Sequence, residues 1–181
     1  MGKPQATNLS DEINEAVMRN VITNLRRLIR NPDDDFARGE LMWASAMAEN
    51  GMLKLGKQTD FQCHMIEHAV GAYTDCNHGQ GLAVIHPALY HRLLEAGKEK
   101  LARMAETVWG VKGTTIEETA MRGVEALEAF IREIGLPTHW SEMGITDESL
   151  LRAAADTCFI TPGCCRQLTR DEIFELLMER M

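Results

Sequence analysis

The run DFQCHMIEHAVGAYTDCNHGQGLAVIHP, residues 60–87, carries four of the six histidines of the 181-residue chain, at 64, 68, 78 and 86. His64 and His68 are four residues apart, so on a helix both rings leave the same face, one turn above the other. Ten residues after His68 comes His78, in the segment CNHGQG, where Asn77, Gly79 and Gly81 mark a break between two helices. Two helices meeting at a Gly-rich corner bring His64 and His78 to one point. Imidazoles that converge from separate elements suit a transition metal of the zinc or iron kind.

The same residues admit other readings. HMIEH, residues 64–68, fits H-x-x-E-H, the inverted metallopeptidase motif, in which both histidines bind zinc and Glu67 is the base. That reading needs a further carboxylate ligand from a distant helix, with Glu142 and Glu148 as the nominees. In the plainest reading the histidines have polar partners in partly buried helices and no chemical role. Spacing alone leaves the three readings open. His86 and His91, beside Pro87, read as structural or surface residues, although His86 lies close enough to the corner to face a cleft.

Outward from this run the pattern is helical. Ile13, Val17, Val21, Leu25 and Leu28 recur at helical spacing behind Ser10, read as an N-cap. Asn31-Pro32-Asp33 is a turn before a second helix with Phe36, Leu41, Met42 and Met47 as an apolar face, and Trp43 reads as core packing. The histidine helix spans about 60–75, and the next starts after Gly79 and reaches about Ala96. A short helix from Gly97 to Trp109 follows. Thr115 with Glu118 and Thr169 with Glu172 are S/T-x-x-E capping boxes opening two further helices. GLPTHWSEMGI, residues 135–145, reads as a connector, with another helix at about 147–158. No segment sustains period-two alternation. The expectation is an all-α, multi-helix bundle of about eight helices over residues 9–181, behind a flexible lead-in at 1–8.

The run HMIEHAVGAYTDCNHGQGLAVIHPAL resembles the iron-containing (group III) alcohol dehydrogenases, in particular their butanol dehydrogenase-like branch. The shared signature is a His, a second His four on, a His-Gly ten further, and a helix with an early proline: here His64, His68, His78-Gly79 and Pro87. Further landmarks are NPDDDFARGELMWASAMAENG (31–51), GLPTHWSEMGI (135–145) and QLTRDEIFELL (167–177). The resemblance implies that the chain is similar to the C-terminal helical domain of that family from about Leu9 onward. It implies that His64 and His78 bind the catalytic metal, Fe2+ with Zn2+ as the alternative, and that His68 lines the site and handles substrate or proton.

It also implies what the chain does not contain. Two of the family's four metal ligands, an Asp and a His one turn apart, would lie upstream of Met1, as would the nucleotide-binding domain. No G-x-G-x-x-G or other Gly-rich phosphate loop is found here, so no residue is nominated for NAD(P), which belongs to a complete enzyme. The isolated chain is expected to be inactive and truncated, with a nucleotide-binding domain or second chain as partner and a small alcohol or aldehyde as substrate of the whole. A homo-oligomer is also expected. The alternative from another class is a non-catalytic helical domain for self-association or partner binding.

Composition bounds the rest. A net charge of −8 argues against nucleic acid and anionic membrane as partners, both of which call for a basic face. No apolar stretch approaches membrane-spanning length, and no signal-like N-terminus precedes one. The five cysteines (63, 76, 158, 164, 165) form no disulfide framework and read as buried free thiols in a reducing cytoplasm.

Overall fold

The computed structural model describes residues 9–181, and the lead-in expected at 1–8 lies outside the described residues. Among the described residues there are eight α-helices and no β-strand. They are α1 (Leu9–Arg30), α2 (Asp35–Glu49), α3 (Gln62–Thr74), α4 (His78–Arg92), α5 (Leu94–Met104), α6 (Ile116–Glu133), α7 (Glu148–Thr157) and α8 (Arg170–Met178). A π-helical turn, Ala105–Trp109, prolongs α5, and 3-10 turns occur at Met52–Lys54 and Trp140–Met143. The expected all-α bundle is what the chain forms. No helix among the described residues is long and apolar enough to cross a membrane.

Local chemistry sets most of the boundaries. The Asp34 carboxylate accepts from the Ala37 N–H at 2.9 Å and opens α2. Thr169 and Glu172 form the full reciprocal box that opens α8, at 3.2 and 2.8 Å. The box expected at Thr115 is half made. Its hydroxyl accepts from the Glu118 N–H, but the Glu118 carboxylate turns to the N–H of Thr114 at 2.6 Å. Ser10 lies within α1 and does not cap it: its hydroxyl donates to the Leu55 carbonyl at 2.8 Å and ties α1 to the segment leading into α3.

The main core lies between α3, α4, α7 and α8. Ile66 and Val70 face Val84, Ile85, Ala88 and Leu89, with Leu151, Ala154, Ile173, Leu176 and Leu177 closing the other side. Trp140, fully buried, joins this core from the 3-10 turn, so the segment read as a connector supplies the largest core side chain. A second, smaller core joins α5 to α6 through Leu101, Ala102, Ala120 and Val124. There Gly123 allows close approach, since a Cβ at that position would come within 2.7 Å of the Ala105 methyl.

Two further expectations change. The helix expected to run to Ala96 breaks at Leu93, whose side chain is fully buried, and α5 begins at Leu94, so Gly97 sits inside a helix instead of starting one. The reading of Trp43 as core is overturned: Trp43 is 67% exposed, beside Met42 at 76% and Phe36 at 64%. The reason is where α2 sits. It packs on α1 and the Met52–Lys54 turn, away from the main core, and leaves an apolar face uncovered.

Candidate metal centre

The centre is built by the corner between α3 and α4. Asp75 ends α3 in the left-handed conformation, φ 54°, with its N–H donating to the Gly71 carbonyl at 2.8 Å. Asp is one of the few L-residues that accept this conformation. Two residues later the Asn77 side chain accepts from the Gln80 N–H at 3.1 Å, so α4 starts at His78, ahead of the start expected after Gly79. The short link folds His78, as the first residue of α4, back against the histidines of α3.

The histidine helix is held from both ends. The start of α3 is fixed by buried Gln62, which accepts from the Leu168 N–H at 2.8 Å and donates to the Arg166 carbonyl at 3.0 Å. Cys63, Ile66 and Val70 anchor one face in the core, which leaves His64 and His68 on the other.

The ring centroids of His64 and His78 lie 5.4 Å apart, those of His68 and His78 5.2 Å, and those of His64 and His68 6.3 Å. Ligand-type atoms of Glu67, His68 and His78 all lie within 4.8 Å of one another. The three imidazoles singled out in the sequence therefore share one corner, and their donor type fits a borderline divalent metal such as Fe2+ or Zn2+. Burial, then the neighbouring His78 and His68, holds His64 below the usual imidazole range. This keeps it neutral, the form in which imidazole binds a metal.

The environment adds groups that spacing did not single out. The ring centroid of His86 lies 6.5 Å from that of His64 and 5.4 Å from that of Tyr90, and the Phe61 ring, tilted by 60°, lies 5.5 Å from His64. His78, His86 and Tyr90 fall at multiples of four along α4, a spacing visible in the sequence once the helix is known to start at 78. A groove of about 400 Å³ opens beside His64, with Phe61, Tyr90 and Leu101 among its walls. Asp11 bridges Lys57 and Lys100 at its rim, each at 2.7 Å.

Glu67 does not face this groove. It is 2% exposed, its Oε2 contacts Nδ1 of His78, and the Cys76 thiol lies 3.8 Å from its Oε1. A peptidase base must face the water it activates, and nothing in this orientation supports that role. The thiols offer no alternative chemistry. Burial raises Cys63 well above its usual range and lifts Cys158 to about 11 and Cys164 to about 12, as expected of inert buried thiols.

Known proteins include relatives of this chain in both sequence and fold. The chain is 33% identical over 172 residues to NADH-dependent butanol dehydrogenase B of Clostridium acetobutylicum, a match covering 93% of this chain and 44% of that protein. Among solved structures, NADH-dependent butanol dehydrogenase A of Thermotoga maritima superposes with a TM-score of 0.88 at 28% identity, covering 97% of this chain and 47% of the other. The aldehyde reductase YqhD of Escherichia coli gives a TM-score of 0.88 at 26% identity, covering 99% and 48%. The chain thus spans a little under half the length of the relatives it matches. The pattern of the Fe-containing alcohol dehydrogenase family, C-terminal, covers residues 2–181, and the chain belongs to that family.

Proposed function

We propose that the chain is the metal-binding helical domain of an iron-dependent alcohol dehydrogenase, with His64 and His78 as metal ligands. The observation that carries this reading is the convergence of imidazoles from α3 and from the first residue of α4. When bound, Fe2+ or Zn2+ supplies Lewis acidity toward a carbonyl or alcohol oxygen. His64 and His78 hold the metal, and His68, on the exposed side of the corner, faces substrate and handles a proton.

In the complete enzyme the reaction is the NAD(P)-linked interconversion of a small alcohol and an aldehyde. Its relatives among the butanol dehydrogenases and the aldehyde reductase support that substrate class. The nicotinamide is held by a nucleotide-binding domain or second chain, because hydride transfer depends on positioning that the helical domain does not provide. The chain alone is therefore inactive. No alcohol- or aldehyde-dependent change in NAD(P)H absorbance is expected from it, and a clear one would overturn this part of the reading.

The deciding experiment is the metal content of the purified chain after anaerobic loading with Fe2+ or Zn2+, beside a His64→Ala control. About one retained metal per chain, lost in the control, is the expected result. Equal metal in both proteins, or none in either, would remove His64 as a ligand.

One observation favours a second, compatible role in self-association. Phe36, Met42 and Trp43 form an exposed apolar face on α2. Sedimentation across a concentration series should show association that weakens in Trp43→Glu. A monomer throughout would end this role.

A further inference from the structure

We infer that Glu67 is a positioning residue for His78: its carboxylate binds Nδ1 of the ring and so leaves Nε2 free to face a metal. The inference rests on the reading of His78 as a ligand and adds a group that the ligand pattern does not contain.

The argument begins with burial. A carboxylate side chain that is 3% exposed must have its oxygens satisfied, or its charge is too costly to keep. Glu67 has two partners. One oxygen meets Nδ1 of His78, and the other lies beside the Cys76 thiol, which can donate to it. A carboxylate oxygen facing Nδ1 of His78 accepts from an N–H there, and in the neutral ring a proton on Nδ1 leaves the lone pair on Nε2. His78 itself is exposed at the tip of the corner, where among the described residues its ring meets only those of His64 and His68 and lies outside both core clusters. The buried carboxylate is the restraint.

The backbone around Glu67 makes room for this arrangement. A Cβ on Gly81 would come within 2.8 Å of Glu67 Cγ and 2.9 Å of its Oε1, so an alanine there would displace the carboxylate. Gly81 is buried in the first turns of α4, where alanine would otherwise favour the helix by roughly 1 kcal/mol. The glycine makes sense as space for Glu67. A carboxylate on the far nitrogen of a ligating histidine fixes its tautomer and orientation and raises its basicity. Here carboxylate, imidazole and the space between them come from two helices and one three-residue link.

The test uses the full chain with 15N-labelled histidine, without metal, followed by titration with Co2+ as a spectroscopic probe. In the metal-free chain the His78 ring should be the Nδ1–H tautomer at neutral pH. Glu67→Gln, which keeps a carbonyl acceptor, should preserve that tautomer, and Glu67→Ala should release it. Co2+ affinity should fall about 10- to 100-fold in Glu67→Ala, and the same substitution should add little in a His78→Ala background. Gly81→Ala, which crowds Glu67 while leaving it present, should weaken Co2+ in the same direction.

A His78 ring in the Nε2–H form in the unaltered chain would overturn the inference even if no variant folds. So would undiminished Co2+ affinity in a folded Glu67→Ala protein. Failure of the unaltered chain to bind Co2+, with the Nδ1–H tautomer present, would instead refute His78 as a ligand and leave the Glu67 contact standing.

Discussion

Trp140→Ala should lower the free energy of unfolding by about 3–5 kcal/mol, the range for removing a large aromatic from a packed core. Trp140 has no exposed surface and belongs to the main cluster together with side chains of α3, α4, α7 and α8. Its indole N–H donates to the Leu177 carbonyl at 3.0 Å, and its backbone N–H donates to the Arg180 carbonyl at 2.7 Å. One residue thus pins the end of α8 to the middle of the fold.

Alanine would leave both a cavity and a buried carbonyl with one donor fewer. Trp140→Phe would keep most of the volume and lose the indole donor, so it should cost less, about 1–3 kcal/mol. Urea unfolding of the metal-free chain checks both, with an unchanged slope showing that the folded state is otherwise intact. A loss under about 1 kcal/mol for Trp140→Ala would mean that the 3-10 turn can collapse onto α8 and that the core is not centred there. Because α3 and α4 pack on this same core, the alanine variant should also broaden the His78 ring signals at moderate temperature.

The second large effect is with acid. His86, only partly exposed, is pushed down to about 4, first by burial and then by the neighbouring His64, against a smaller upward pull from the Leu82 carbonyl. An unfolded imidazole titrates near 6.5. Between those values the unfolded chain takes up a proton that the folded chain refuses, so stability rises with pH and is lost as pH falls. The full contribution is present above about pH 6.5, and the loss levels off near pH 4. Over that interval it amounts to at most roughly 3 kcal/mol, since the ring keeps some contact with water. His64, also depressed, acts in the same direction.

Unfolding free energies at a series of pH values, without metal, should show this slope, and His86→Phe should flatten it. Carboxylates with lowered values, such as Glu118 at about 2, begin to lose their contribution only below about pH 4.5, so the slope between about pH 6.5 and 5 is not theirs. Parallel profiles for the two proteins would show that His86 is protonated as readily in the folded chain as in the unfolded one.

Much of this protein is legible from its residues in order. The periodicity of Ile13, Val17 and Val21, the box at Thr169 and Glu172, and the absence of two-residue alternation establish helices, because these signals depend on neighbours three or four residues away. The four-residue spacing of His64 and His68 and the glycine-rich break before α4 mark the corner for the same reason.

What the periodicity does not contain is which face meets which partner. Trp43, in the largely apolar run LMWASAM, looks like a core residue, and Trp140, among the polar residues of THWSE, looks like part of a connector, yet the first is exposed on α2 and the second is fully buried in the main core. The difference is that α2 packs on α1, to one side, while Trp140 is tied to the end of α8 through the Leu177 and Arg180 carbonyls and packs in the main core. Glu67 is the sharper case. In sequence it sits one residue from His68 and eleven from His78, and the motif it completes puts it beside a metal. The left-handed Asp75 and the Asn77 cap swing His78 across the corner, and the missing side chain of Gly81 opens the space in which Glu67 reaches it. The sequence alone determined a helical chain with its histidines at one corner. Only the tertiary structure decided which oxygen meets which nitrogen, because that contact depends on the angle between two helices.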